Sequence, residues 1–321
     1  MSAGSGDQIS VCLLTYNHVA VIESTLASIL KQTISGHEVI VSDDCSTDGT
    51  WELVLALAAK EPRVRAIRTP RNLGMAGNAN FAVANCSRPY IALLHHDDLY
   101  REDLLEKWQG VMDRHPDVGF VFNAYGVHQS PRLYTHPFSA QRLDGKWFLE
   151  HHLFPSWGCP VRGTAMIRRS AWDALGGLRE EFGLLADIDL WMRLAARGPV
   201  GYVCEPLITI RQLRPDYYPE IYQGKGWSWV RQRYLYEIHA ANRLTFYDVH
   251  ELRGRRKLLA FRFRLSLNTA KWLAYALVRR RWQMIETAGD SITRQDQLWL
   301  RGFRRLVRLA AVPLLSKSAR S

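Results

Sequence analysis

The cluster His95-His96-Asp97-Asp98 follows directly on the apolar run Tyr90-Ile91-Ala92-Leu93-Leu94. Two carboxylates at the end of a buried strand are costly to hold without a partner, and the usual partners are a divalent cation or a polar ligand. A second pair, Asp43-Asp44, closes the apolar segment Glu38-Val39-Ile40-Val41-Ser42 in the same way. Strands of an open α/β sheet deliver their carboxyl ends to one crevice, where ligands bind. Two strands ending in paired acids therefore point to one site for a metal-bound, phosphate-bearing ligand.

The elements around these acids supply such a sheet. Residues 9–14 read as a first strand, and Ile22, Leu26, Ile29 and Leu30 recur at helical spacing. Residues 39–42, 63–67 and 90–94 read as further strands. Between them lie a helix that Ser46-Thr47-Asp48 can N-cap and a helix over 76–84. This βαβαβαβ order implies a mostly parallel, doubly wound sheet with right-handed crossovers. A helix over 102–112 and a strand over 118–122 follow. Residues 123–160 read as an irregular, aromatic-rich stretch lining a cleft, where Trp147, Trp157 and His151-His152 either stack on a bound ligand or pack in the core. Beyond it come a strand at 164–167, a helix at 170–175 stopped by Gly176-Gly177, and a helix from near Leu185. Strands at 200–203 and 207–210 close the alternation, and 228–312 read as arginine-dense helices.

Several stretches then fall into one ordered pattern: Ser10-Val11-Cys12-Leu13-Leu14-Thr15-Tyr16-Asn17, Ser28-Ile29-Leu30-Lys31-Gln32-Thr33 and Val41-Ser42-Asp43-Asp44-Cys45-Ser46-Thr47-Asp48-Gly49-Thr50. Asn72-Leu73-Gly74, Asn80, Asp97-Asp98, Gly176-Gly177-Leu178 and Asp187-Ile188-Asp189-Leu190-Trp191-Met192-Arg193-Leu194 continue it. Over residues 8–212 this pattern resembles the family 2 glycosyltransferases, inverting enzymes of the GT-A fold. The resemblance implies a Rossmann-like, mostly parallel central sheet flanked by helices, and a sugar moved from a nucleotide diphosphate sugar by single displacement. It implies Asp98 as metal ligand, with Asp97 on the ribose or in the metal shell and Mn²⁺ or Mg²⁺ as cofactor. Asp44 resembles the carboxylate that accepts the base N3–H, which suits uracil and equally admits guanine. Thr15, Tyr16 and Asn17 would hold base and ribose, Asn80 and Arg211 the rest of the donor, and Asp187 the acceptor proton.

The chain departs from that pattern at three points. Ala186 stands where an acid usually precedes the base, Ala79 where an Arg usually precedes the Asn, and His95 where an Asp often opens the metal motif. His95 and His96 read as neutral cleft residues, with contact of one of them to the metal or the diphosphate as the other reading. The missing Arg leaves the diphosphate to the metal and to Arg211. Two rival readings stand beside the enzyme. A nucleotidyltransferase would want a glycine-rich, basic loop after the first strand, and Thr15-Tyr16-Asn17-His18 is not one. A catalytically inactive saccharide-binding or scaffold protein gains from Ala79 and Ala186 and loses from the joint presence of Asp44, Asp98 and Asp187.

Composition bounds the rest. Apolar residues make up 47% of 321, ample for a core. The five cysteines are scattered without a CxxC pair, so a disulfide framework or zinc site is not expected, and a cytoplasmic protein is. The first residues carry no basic start or apolar run of a secretory signal. The apolar run 272–278 is far short of the roughly 20 residues of a membrane span. From Arg211 onward, 23 Lys/Arg face 8 Asp/Glu, whereas the net charge of the whole chain is +11. The division expected is a catalytic domain over 1–212 and a basic helical region over 213–321. Within 297–312, Trp299, Phe303, Leu306, Val307 and Ala310 share one helical face and Arg301, Arg304, Arg305 and Arg308 the other. Such a helix suits an anionic membrane surface, and so the inner face of the plasma membrane, more than nucleic acid; packing on its own domain is the competing reading. The partners expected are a nucleotide-sugar donor and a saccharide or polyprenol-linked saccharide acceptor used in cell-surface polysaccharide or O-antigen assembly.

Overall fold

The computed structural model describes residues 6–211 apart from 132, 137, 139 and 154–158, together with residues 263, 274 and 278. The chain divides into two compact units, Met1–Arg214 and Pro215–Ser321. The basic amphipathic segment 297–312, most of the expected helices over 228–312, and Trp157 lie outside the described residues.

In the first unit, β1 (Ile9–Thr15), α1 (Ile22–Leu30), β2 (Glu38–Asp43), α2 (Thr50–Ala58), β3 (Val64–Arg68), α3 (Gly74–Ala84) and β4 (Tyr90–His95) alternate as the hydrophobic pattern requires. They are followed by β5 (Asp98–Tyr100), α4 (Leu104–Arg114), β6 (Phe120–Val127), β7 (Leu133–Tyr134), β8 (Arg142–Leu143) and α5 (Gly145–Phe148). Then come β9 (Ala165–Arg168), α6 (Arg169–Leu175), α7 (Ala186–Arg197) and β10 (Val200–Ile210). One sheet runs β3-β2-β1-β4-β9-β6-β10-β5, with β7 on β6 and β8 on β10. Strands β3, β2, β1 and β4 pair in parallel. Strand β9 is antiparallel to both neighbours, which returns β6 and β10 to the direction of β4. The long strands thus deliver their carboxyl ends to one edge.

Strands β1 and β4 are buried along almost their whole length, as central parallel strands covered on both faces must be. Trp108 of α4 and Trp191 of α7 are fully buried, and Trp191 stacks on Phe120 at 5.0 Å. Three local features differ from the sequence expectation. Helix α2 starts after Gly49, whose φ of +93° suits glycine, while Asp48 accepts the Thr50 N–H at 3.0 Å. The stretch 123–160 is partly regular, because β6 runs on to Val127 and β7, β8 and α5 follow it. The two strands expected over 200–210 are one, with register shifts on either side of Pro206. Proline has no N–H to give a ladder and is tolerated at such a bulge.

Candidate active site

Acids leave β4 through a two-residue turn, His96-Asp97, and enter the short strand β5 at Asp98. Tyr100 staples this turn: its hydroxyl accepts the His95 N–H at 2.9 Å and donates to the His95 carbonyl at 2.8 Å. From α1, Thr25 Oγ1 donates to the His96 carbonyl at 2.6 Å. Strand β5 pairs with the end of β10, Ile210 opposite Asp98. Asp98 is therefore no cap for α4, which begins six residues later behind Asp103.

His95, Asp97 and Asp98 offer ligand atoms within 4.8 Å of one another, the one such group among the described residues. Asp98 Oδ1 and His95 Nε2 are buried without a hydrogen-bond partner. Burial, then the Asp97 charge, pushes the Asp98 carboxyl up to about 8. A cation at this point would relieve both causes, and a donor set of two carboxylates and an imidazole fits a divalent ion. The sequence reading kept His95 as a neutral cleft residue; the fold groups it with the two acids. His96 points elsewhere, its Nδ1 2.8 Å from the Leu14 carbonyl and its ring 3.7 Å from that of His18. Burial lowers His96 to about 3, so it is neutral near pH 7.

Asp187 lies in the first turn of α7, where its Oδ1 accepts the Ile188 N–H at 2.8 Å. Gly163 separates it from the metal-type cluster. A Cβ there would sit 2.6 Å from His95 Cε1 and 3.5 Å from Asp187 Oδ2, and the φ of +77° also calls for glycine. His95 at the end of β4 and the carboxylate on α7 thus face each other across a bare backbone. Burial raises the Asp187 carboxyl and the His95 charge opposes that rise. Asp189 has different work. It is fully buried, bonds Arg193 at 2.7 Å, and that guanidinium donates to the carbonyls of Leu175 and Gly177.

Asp44 lies at the exit of β2, its N–H given to the Thr15 carbonyl at 2.9 Å. Its Oδ1 accepts from Thr69 Oγ1 at 2.9 Å and from the Leu73 N–H at 2.8 Å. Burial still raises its carboxyl. Thr15 Oγ1 is buried without a partner beside it on β1. Asn17, at φ 54°, accepts the Thr47 N–H at 2.8 Å and so fixes the loop after β2. Tyr16 is half-buried, and its carbonyl lies 2.6 Å from His18 Nδ1.

Two expected donor contacts are held by other partners. Asn80 exchanges two bonds with the backbone of Leu178. Arg211 donates to the Asp97 carbonyl at 2.6 Å and to Ser24 Oγ at 2.8 Å, and also bonds Thr25 Oγ1. In this arrangement both side chains brace the site. Ala79 and Ala186, two of the three departures from the family pattern, are fully buried. A cation that the motif reading did not find is Arg162, exposed beside Gly163. Its guanidinium lies 5.3 Å from the Tyr125 ring centroid, and its charge opposes the burial-driven rise of both Asp98 and Asp187. Trp147 sits on α5, where Gly145 is wedged against the carbonyls of Ala195 and Gly198 at the end of α7 remote from Asp187.

Among the described residues no helix is long and apolar enough to cross a membrane. Comparison with known proteins completes the picture. The family described as glycosyl transferase family 2 matches residues 10–176. EpsE of Bacillus subtilis (strain 168), named as a glycosyltransferase, is 31% identical over 218 residues, 65% of this chain and 74% of that protein. TuaG of the same organism, named as a teichuronic acid biosynthesis glycosyltransferase, is 33% identical over 120 residues, 37% of this chain and 47% of its own. The S. aureus TarS 1–349 structure in complex with UDP-GlcNAc superposes at TM-score 0.68 with 17% identity, covering 94% of this chain and 87% of that one. Mannosyltransferase PcManGT from Pyrobaculum calidifontis, in complex with GDP-Man and Mn²⁺, gives TM-score 0.57 and 21% identity over 95% of this chain and 80% of its own. At these identities the structural likeness shows the fold.

Proposed function

The chain belongs to glycosyl transferase family 2 and is a glycosyltransferase, and on that premise we propose that it is an inverting, divalent-metal-dependent enzyme using a UDP-sugar. The observation that carries this reading is that His95, grouped with Asp97 and Asp98, faces Asp187 across Gly163. With these roles, a donor-side charge and an acceptor-side base would lie close together, which supports a single displacement at C1.

In this mechanism Asp44 holds the base through its second carboxylate oxygen, since Oδ1 is committed to Thr69 and Leu73. Thr15 and Tyr16 line the base and ribose, and Asn17 shapes the loop that closes over them. Asp98, with Asp97 and His95, would hold Mn²⁺ or Mg²⁺, which supplies charge neutralisation to the leaving diphosphate. Arg162 adds a fixed positive charge on the same side, the role expected of the family Arg that Ala79 replaces. Asp187 takes the proton from the acceptor hydroxyl as that oxygen attacks. Burial raises its pKa, which makes it a stronger base than a solvated aspartate. Asn80 and Arg211 act as positioning residues for α7 and for the acidic turn.

The acceptor in this proposal is a saccharide, polyprenol-linked in cell-surface polysaccharide assembly, in line with the name of TuaG. The catalytic domain spans 1–212, and the basic region 213–321 carries the arm that holds it at the inner face of the plasma membrane. The test is a panel of nucleotide sugars with Mn²⁺ and a saccharide acceptor, with product linkage read by NMR. Transfer with inversion from a UDP-sugar is expected. Retention at C1 would overturn the single displacement, and exclusive use of GDP-sugars would overturn the base assignment.

A further inference from the structure

Away from the cleft, two cysteines that are 74 positions apart come together. Cys12 lies in the middle of β1 and is fully buried; Cys86 lies just past the end of α3 and is partly exposed. Their sulfurs are 3.8 Å apart. A disulfide needs about 2.05 Å, so a closing movement of under ~2 Å would join them. Arg169, the first residue of α6, anchors its Nε on the Arg88 carbonyl at 2.7 Å and points Nη2 at Cys86 Sγ, 2.9 Å away. As a thiol Cys86 donates to the Val83 carbonyl at 3.3 Å.

This grouping treats the two sulfurs unequally. The bond from Cys12, helped by Ser10 and the Arg169 charge, pulls the Cys86 thiol down to about 6. The same contact and full burial push Cys12 well up. The exposed member is thus the thiolate and the buried member keeps its proton. Attacking and resolving cysteines in redox proteins divide their labour in this way.

We propose that Cys86, Cys12 and Arg169 form an oxidation site in which a hydroperoxide converts the two thiols reversibly into a Cys12–Cys86 disulfide. The Cys86 thiolate gives an electron pair to the distal peroxide oxygen. The O–O bond breaks, and Cys86 becomes a sulfenic acid as hydroxide or alkoxide leaves. The Cys12 sulfur then attacks the Cys86 sulfur, the S–O bond breaks, and the departing hydroxide takes the Cys12 proton as water. Sulfur is oxidised by two electrons and the peroxide reduced by two; a dithiol reverses the bond by exchange.

The full chain, treated with hydrogen peroxide and then alkylated for peptide mass mapping, tests the site. Wild type should lose Cys12 and Cys86 together and yield a linked peptide that dithiothreitol removes. Cys12→Ala should stop at a dimedone-reactive sulfenic acid on Cys86. Cys86→Ser should leave Cys12 untouched, and Arg169→Met should slow Cys86 oxidation by roughly tenfold. Cys45, Cys159 and Cys204 serve as internal references in the same digest. Oxidation of Cys86 no faster than theirs would overturn the activated thiolate. Irreversible over-oxidation of wild-type Cys86 without a linked peptide would overturn Cys12 as its resolving partner.

Discussion

Asn80 and Leu178 hold each other by a reciprocal pair of hydrogen bonds, each 2.9 Å, across 98 positions of the chain. The pair ties α3 to the turn that leads into α7. Space there is tight, because a Cβ on Gly177 would lie 2.6 Å from Asn80 Oδ1. Asn80→Ala should therefore lower kcat by about tenfold through misplacement of Asp187 while leaving UDP affinity within about twofold, since loss of such bonds costs about 1–3 kcal/mol. Gly177→Ala should act in the same direction. Calorimetry beside steady-state kinetics separates the two effects, and a loss confined to nucleotide affinity would instead make Asn80 a donor contact.

Asp187→Asn should cut turnover by roughly 10²–10⁴, the usual contribution of a general base, and spare nucleotide binding. The base works ionised, so the rate should fall as pH drops through its pKa. Burial raises that pKa, which places the acid limb of the kcat profile above the ordinary aspartate range. A wild-type profile with its limb at or below pH 4 would contradict this assignment.

Asp98 gives a test that needs no turnover. Its carboxyl is pushed up to about 8 in the metal-free fold, against 3.8 as reference. A raised folded-state pKa means that the fold binds the proton more tightly than the unfolded chain does. The associated stability is present below pH 4 and is lost as pH rises through 8. Relative to Asp98→Asn, metal-free wild type should lose Tm steadily across that window, and Mn²⁺ at pH 8 should restore it. Parallel curves for the two proteins, with or without Mn²⁺, would sink the metal assignment.

Arg162 should act on transfer more than on folding, since it is exposed. Arg162→Met is expected to lower kcat by about 10–100-fold and Arg162→Lys to recover part of that, the pattern of a fixed charge near a developing anion. Equal rates for all three proteins would remove it from the mechanism.

Deleting residues 297–321, or reversing Arg301, Arg304, Arg305 and Arg308 to Glu, should release the protein from anionic vesicles. Each basic residue near such a surface contributes about 1 kcal/mol before screening, so binding should also weaken with salt. Wild-type protein that ignores anionic vesicles at low salt would leave the arm as a packing or oligomer element.

The donor side of the fold was largely legible because its signals are local. Apolar runs ending in Asn17, Asp44 and Asp98 mark strands and their exits within two or three residues, and Gly176-Gly177 marks a helix end. What escaped depends on distant chain. His95 is neutral-looking until Gly163 and Asp187 are brought to it, and Arg162 has no motif of its own. Strand β5 is three residues long and exists because β10 pairs with it. Pro206 reads as a break between strands, yet pairing with β6 on both sides carries β10 through it. The commitments of Asn80 and Arg211 to backbone groups are likewise tertiary facts that spacing cannot express.

Strand β9 has a consequence for how such a chain can diversify over generations. Running against both neighbours, it separates β1 to β4, whose exits include Asn17 and Asp44, from β6 and β10, which carry the loops beyond residue 127. Those loops can lengthen, shrink or be exchanged between lineages without disturbing the register in which Asp44 is held. A descendant could acquire a new acceptor by inheritance of a different outer rim while its appetite for one nucleotide stayed ancestral. Grafting the 128–160 segment of a relative onto this scaffold would replay that history in one step.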